Sequence, residues 1–103
     1  TALSGSGPAY VFLLAETMAA AGQRLGLPAD MAMQLAIETI KGAGALMAED
    51  AAPPAILREN VTSKGGTTAA ALSVLMTDDR MADLLDDALT AAARRAAELD
   101  AQG

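Results

Sequence analysis

A run of hydroxyl side chains, one cation and two glycines lies between Asn60 and Thr68, and it leads into an apolar segment. The amides at the start of a helix carry about half a positive charge. The glycine pair lets the backbone curl around a small group, and Ser63 and Thr67 add hydroxyl donors beside Thr68. The pattern therefore indicates a site for an anion such as a carboxylate. The alternative, in which Gly66 or Thr67 only caps the next helix, fits these residues about equally well.

Lys64 is the cation of this segment, and it precedes the glycine pair. A phosphate-binding P-loop has its lysine after the glycine, so nucleotide binding of that type is excluded. A lone loop lysine is usually solvated, which is the simplest interpretation of Lys64.

A second glycine-rich turn occupies residues 4–8 and contains a G-x-G. The third glycine of a dinucleotide-binding G-x-G-x-x-G would fall at Tyr10, and no strand pattern precedes the turn, so the Rossmann fingerprint is absent. The simplest interpretation is a linker that starts a helix. Gly5 and Gly7 nevertheless leave backbone amides uncovered, which suits the close approach of a ligand.

Composition excludes several classes of chemistry. The chain has no Cys and no His, which excludes disulfide scaffolds, thiolate nucleophiles, Ser-His-Asp triads and zinc held by these side chains. A net charge of -6 with 2% aromatic residues argues against a nucleic-acid partner. No run is long enough for a membrane span and no secretory signal is visible, so we expect a soluble protein. The first residue is Thr, which suggests a piece of a longer chain.

The surrounding pattern is helical throughout. The chain is 52% hydrophobic and 26 of its 103 residues are Ala, which predicts closely packed helices with small core side chains. Proline, glycine and capping residues predict one all-α bundle of about five helices. The expected starts lie near Pro8, Pro28, Pro54 and Ala69, and at Thr77, whose hydroxyl is expected to cap the last helix.

Apolar stripes follow three of these helices with helical spacing. The first helix carries Val11, Leu14, Met18, Ala21 and Leu25, and the last carries Met81, Leu85, Ala88, Ala92 and Leu99. The second helix carries two stripes, one of Met33, Ile37, Ile40, Gly44 and Met47 and one of Met31, Leu35, Gly42 and Leu46. A chain of this length covers one such face, so we expect a second copy to cover the other.

Gly42 and Gly44 each cost a helix interior about 1 kcal/mol relative to Ala. Two explanations fit the pair about equally well. One is a close helix crossing, and the other is a kink or an early helix end near residue 41.

Four segments, in this order, carry a resemblance to a known family: residues 1–10, Gly26-Leu27-Pro28, residues 54–57, and residues 61–68 with Ala71-Leu72. Together they resemble the C-terminal domain of pyrroline-5-carboxylate reductase. The resemblance covers essentially the whole chain, and its last segment follows the family signature closely. One departure is Lys64, where many members have proline, and it makes the loop less rigid.

The resemblance implies an all-α domain, interwoven with a second copy as a homodimer and often part of a larger ring. It implies a cytoplasmic enzyme of proline biosynthesis that transfers a hydride from NADPH, or NADH, to the C=N carbon of 1-pyrroline-5-carboxylate. The family's nucleotide-binding Rossmann domain lies upstream, so residues 1–103 by themselves are expected to be inactive.

Site roles follow from the same resemblance. The substrate carboxylate would be held by Ser63, Lys64, Gly65, Gly66 and Thr67, and Thr68 would be the catalytic residue, reaching the ring nitrogen. The turn of Ser6, Gly7 and Pro8 would lie near the nicotinamide, and no metal is implied. The alternative is a helical dimerisation module without chemistry, or the helical domain of a related imine reductase. Binding of a small carboxylate by the loop separates the two.

Overall fold

The computed structural model describes residues 1–102, and its secondary structure is α-helical apart from one 3₁₀ turn. The elements are α1 (Gly7–Arg24), α2 (Ala29–Glu49), α3 (Pro54–Asn60), α4 (Thr67–Met76), the turn Thr77–Asp79 and α5 (Arg80–Gln102). Over these 102 residues no strand forms, so the predicted all-α class and the number of helices are confirmed. None of the described helices is both long enough and apolar enough to cross a bilayer.

Intrachain contacts divide the chain into two compact units. The first comprises residues 7–52 and consists of α1 packed against α2. The second combines residues 1–6 with the chain from residue 53 onward, and within it α4 packs against α5.

The connection between α1 and α2 is set by glycine and proline, as predicted. Gly26 has φ +108, and its amide donates to the Gln23 carbonyl at 2.9 Å. The Leu27 amide donates to the Gly22 carbonyl at 3.1 Å. These two bonds form a Schellman motif, which satisfies the last carbonyls of α1. Pro28, in extended conformation, then precedes the first residue of α2.

Small residues form the contact between α1 and α2. The buried core consists of Ala19, Ala32 and Ala36. A Cβ placed on Gly22 would lie 3.4 Å from the Cβ of Ala32, so the two backbones approach closely there. At 100° per residue, Ala32 and Ala36 fall between the two apolar stripes predicted for α2.

The predicted stripes therefore flank this contact rather than form it. On α1, Val11 and Leu14 remain 43% and 42% exposed. On α2, Leu35 and Ile37 lie on opposite flanks and are each 50% exposed. Within residues 1–102 both apolar faces of α2 remain largely exposed, although Ile40 is half-buried.

The helix α2 passes through its glycine pair and ends at Glu49, so an early helix end near residue 41, one of the alternatives for the pair, is wrong. A Cβ on Gly42 or on Gly44 would meet nothing within 4 Å. Within residues 1–102 no helix crosses closely at these two positions.

The junction between α4 and α5 differs from its prediction. Thr77 does not cap α5, because its hydroxyl donates back to the Ser73 carbonyl at the end of α4. Asp78 and Asp79 follow with φ 52 and φ 55, and α5 begins only at Arg80. The chain direction therefore changes through two consecutive left-handed residues.

The stripe predicted for α5 is not buried within the chain. Met81, Leu85 and Leu99 are 46%, 43% and 50% exposed. The half-buried residues of α5 are Ala92, which belongs to the predicted stripe, and its neighbours Leu89 and Ala96. The larger apolar residues of the stripe thus resemble those of α1 and α2 in remaining exposed.

Among the described residues, 23 large apolar side chains are at least 36% exposed. A monomeric soluble protein rarely leaves an extended set of such side chains without cover.

We expect the chain to form a homodimer at micromolar concentration, because its large apolar side chains have no other cover. Light scattering on a sizing column measures the mass, and the expected value is about twice 10.3 kDa. A monodisperse, fully helical monomer would contradict this expectation.

Replacing Asp78 by Gly is expected to raise the free energy of unfolding by about 0.5 to 1 kcal/mol, because glycine adopts positive φ without a steric penalty. The matched control is Asp86→Gly within α5, where glycine lowers that free energy by a few tenths of a kcal/mol. Urea titration of both variants at one protein concentration measures the two changes. The same sign for both would show that the corner is not strained.

Candidate functional site

The hydroxyl- and glycine-rich segment forms the loop between α3 and α4. Pro54 occupies the first position of α3, where its missing N–H is not needed. At the other end of α3, the Thr62 amide donates to the Glu59 carbonyl at 3.1 Å, and its hydroxyl donates to the Arg58 carbonyl at 2.6 Å. Thr62 therefore fixes the start of the loop, and its hydroxyl is already bonded there.

A hydrogen-bonded turn follows, from Ser63 to Gly66. The Gly66 amide donates to the Ser63 carbonyl at 3.0 Å, and Gly65 has φ +75, as the third residue of a type II turn does. A Cβ on Gly66 would lie 3.3 Å from the Ser63 carbonyl oxygen, which is closer than ordinary van der Waals contact. Both glycines are therefore required by the turn itself, one for its φ and the other for its close approach.

The turn delivers the chain directly into α4. Gly66 is the N-cap residue, and the Ala70 amide donates to its carbonyl at 3.1 Å. No side chain caps the helix, so within the described residues the amides of Thr67, Thr68 and Ala69 have no partner. Gly66 thus occupies the cap position that the capping alternative gave it, and the free amides of the first turn are open to water or to an anion.

The hydroxyls of the loop are equally unengaged. Thr17 and Thr39 donate to carbonyls of their own helices, at 3.0 Å and 2.7 Å. In contrast, within residues 1–102 the hydroxyls of Ser63, Thr67 and Thr68 make no hydrogen bond. Thr68 is half-buried, while Ser63 and Thr67 are exposed. The loop thus presents three amides and three hydroxyls, with no internal partner for any of them.

The electrostatics of the loop are simple. Lys64 is the only charged residue of the sequence between Glu59 and Asp78. It is exposed, and it forms no ion pair with any described residue. No carboxylate of the loop competes for an incoming anion, and the positive end of the α4 dipole lies at the same place. The arrangement suits binding and orientation of an anion, and the described chain holds no acidic cluster suited to a metal.

The second predicted segment is a separate feature. The Ser6 amide donates to the Thr1 carbonyl at 3.0 Å, and a Cβ on Gly5 would lie 2.9 Å from that oxygen. Gly7 and Pro8 are the first residues of α1, and a Cβ on Gly7 would meet nothing within 4 Å. The backbone at Gly7 is thus open to a ligand, and the role of this turn in cofactor binding stays a prediction.

Two features of the second unit were missed at the sequence level. The free amide of Ala69 becomes visible only once the helix start is known. An open groove of about 590 Å³ between α4 and α5 was also missed; its lining residues are Val74, Leu75, Arg80, Met81, Asp83, Leu84 and Asp87. The sequence feature that could have predicted this groove is the apolar run that ends at Met76.

Comparison with known proteins identifies the family of the chain. Residues 1–99 match the family model for pyrroline-5-carboxylate reductase dimerisation. Pyrroline-5-carboxylate reductase from Pseudomonas aeruginosa is 45% identical over 102 residues, which are 99% of this chain and 37% of that protein. The Arabidopsis thaliana reductase is 43% identical over 99 residues, which are 96% of this chain and 36% of that protein.

A solved structure has the same fold. The crystal structure of Plasmodium falciparum pyrroline carboxylate reductase with NADP bound superposes with a TM-score of 0.86 at 35% identity. The match covers 92% of this chain and 36% of that one, so the chain spans little more than a third of the proteins it matches. From its match over residues 1–99, the chain belongs to the pyrroline-5-carboxylate reductase dimerisation family.

Proposed function

We propose that this chain is the helical domain of a reductase that converts 1-pyrroline-5-carboxylate to proline. Residues 1–103 would pair the subunits and hold the carboxylate of the substrate. The observation that carries the proposal is the start of α4, where three amides and three hydroxyls lack partners within the described residues. Family membership supports a carboxylate as this anion, since the relatives are named for a carboxylate substrate.

The carboxylate would lie against the turn and the first residues of α4. The Ser63 and Thr67 hydroxyls, with the unpartnered amides at the start of α4, would donate to its two oxygens. Because most of these donors are backbone amides, the path of the turn decides how well they converge. The positive φ of Gly65 and the close approach at Gly66 support this role, since both fix that path.

Thr68, the second residue of α4, would contact the ring nitrogen of the substrate. It is half-buried and its hydroxyl has no partner among residues 1–102, so that hydroxyl is available to the ring nitrogen. A protonated imine accepts a hydride at carbon without an obligatory protein acid. The contribution of these residues is therefore orientation and electrostatic stabilisation, which a chain without histidine can provide.

A nicotinamide nucleotide supplies the hydride when bound. This chain has no dinucleotide fingerprint, so its nucleotide would be held mainly by a separate Rossmann domain upstream. Ser6, Gly7 and Pro8 would lie against the nicotinamide, where the open backbone at Gly7 permits close approach. By itself the 103-residue chain would therefore have no reductase activity.

The partner of the domain would be a second copy, with which it forms an interwoven dimer. In the assembled enzyme these dimers would form a larger ring. The enzyme would act in the cytoplasm. The exposed apolar residues of α1, α2 and α5 support a large interface. The same residues equally suit a dimerisation module without chemistry, and binding of a small carboxylate by the loop would distinguish the two.

Replacing Thr68 by Val in the complete reductase is expected to lower kcat/KM by roughly 5- to 150-fold. The reason is that losing one hydrogen bond to the ring nitrogen removes about 1 to 3 kcal/mol of transition-state stabilisation. Steady-state kinetics and a urea titration on the same preparation measure activity and stability together.

Thr90→Val is the matched control, since Thr90 is an exposed residue of α5 without a hydrogen bond to any described residue. It is expected to leave kcat/KM within about twofold. If Thr68 only packs or caps, Thr68→Val costs about 1 kcal/mol of stability and leaves activity within that same range. That outcome would remove Thr68 from the proposed site.

A further inference from the structure

The open groove between α4 and α5 combines apolar side chains with two carboxylates. Its most exposed apolar residues are Leu84, at 70%, and Val74, at 57%. Asp83 and Asp87 lie one helical turn apart on α5, and neither forms an ion pair within residues 1–102. These two acids outnumber the single base of the groove, Arg80. The groove therefore suits a helix face that is apolar and carries a cation.

One face of α2 has this chemistry. Ile37, Lys41 and Gly44 are spaced by four and three residues, so they lie on one side of the helix. Lys41 is the single basic residue of α2, and it has no ion pair among the described residues. Ile37 is 50% exposed. This face thus presents a cation beside apolar surface that the described chain leaves exposed.

Gly44 gives a second and independent reason to expect a close neighbour at this face. Glycine in a helix interior is less stable than alanine, yet α2 continues through it to Glu49. A Cβ on Gly44 would meet nothing within 4 Å, so no described residue uses the space that the missing side chain leaves. A helix of another chain can use it, because glycine permits two backbones to approach closely.

We propose that the face of α2 formed by Ile37, Lys41 and Gly44 packs into the α4–α5 groove of a second copy, where Lys41 pairs with the groove carboxylates. This inference rests on the proposed pairing of subunits, and it adds which surface of one copy covers which surface of the other. In a twofold dimer the contact occurs twice, so the assembly closes and does not extend into a filament.

Charge favours this arrangement over two others that would cover the same apolar surfaces. If α2 packed against α2 through this face, Lys41 would face its own copy. If the groove packed against the groove, Asp83 and Asp87 would face other carboxylates. Like charges opposed at an interface weaken association. Of the three arrangements, the mixed one alone places opposite charges together.

The contact also reaches the candidate site. Residues 74 and 75 of α4 line the groove, and α4 begins directly after the hydroxyl- and glycine-rich loop. The second copy would therefore pack against the end of the helix whose first turn presents the free amides.

Cysteine cross-linking distinguishes the three arrangements, because the parent chain has no Cys. Gly44→Cys and Leu84→Cys are prepared as separate chains, mixed in urea and refolded together by dilution. Oxidation and non-reducing electrophoresis then show which positions are close enough for a disulfide. We expect a cross-linked dimer from the mixture and none from either variant alone.

Two further variants make the cross-linking interpretable. Ile37→Cys lies on the same face of α2 and leaves Gly44 intact, so it detects the contact if a side chain at Gly44 disturbs it. Ala45→Cys is the matched control, since Ala45 is exposed and lies 100° around the helix from Gly44. We expect no cross-link between Ala45→Cys and Leu84→Cys.

Reversal of charge tests the ion pair separately. Lys41→Glu is expected to raise the dissociation constant of the dimer about 10- to 100-fold, because the pair occurs twice and its attraction becomes repulsion. Adding Asp87→Lys is expected to restore the constant to within about threefold of the parent value. Asp86→Lys is the matched control, since Asp86 is the neighbouring acid and does not line the groove. Analytical ultracentrifugation measures the constants, and circular dichroism checks that each variant stays helical.

The outcomes separate this inference from the proposed function. If the parent chain is a dimer but neither α2 variant cross-links with Leu84→Cys, or like variants cross-link instead, the placement of α2 is refuted and subunit pairing stands. Equal rescue of Lys41→Glu by Asp86→Lys and by Asp87→Lys would refute the role of the groove carboxylates. If the parent chain sediments as a monomer, the proposed pairing itself fails.

Discussion

The contact of α1 with α2 through alanine is the constraint on which the rest of this molecule depends. Ala19, Ala32 and Ala36 bring two backbones close together, and a contact between small side chains cannot accommodate the large ones beside it. Most leucine, isoleucine and methionine side chains of α1 and α2 therefore lie on the flanks, where the described residues leave them largely exposed. For a member of a dimerisation family, this arrangement keeps the strongest hydrophobic free energy for association instead of for the fold of one subunit.

The loop before α4 depends on its backbone more than on its side chains. Its geometry comes from one turn bond, one positive φ and one close approach, and its donors are mostly backbone amides. Such a site tolerates changes of side chain around it as long as the backbone path is kept. It is also sensitive to a single methyl group at either glycine, because no other residue can restore that path.

The sequence was most informative at glycines and prolines, because each of these residue types restricts or permits a particular backbone conformation. Gly26 and Pro28 marked the connection of α1 to α2, and the glycine pair after Lys64 marked the loop. Hydrophobicity was a weaker guide to packing, because it ranks leucine above alanine, whereas the distance between two helices decides which of them fits. The buried line of Ala32 and Ala36 was missed for that reason.

Residues with two local options were the other source of error. A threonine before a helix can cap it or can bond back to the preceding helix, and Thr77 does the second. The choice depends on the direction of α5, which local pattern does not encode. In the same way, the free amide of Ala69 has no signature in residue type. The proposed roles of residues 63–68 stand on geometry and family membership together, and neither alone would assign them.

The large exposed apolar surface also has a consequence for the life of the protein in a cell. Exposed apolar surface of this kind is what chaperones and proteases recognise, so it would be protected only once a second copy covers it. Because encounter depends on concentration, a larger fraction of chains escapes degradation when synthesis is fast. The amount of mature protein would then rise more steeply than the rate of translation, because the exposed apolar surface makes survival of each chain depend on its concentration.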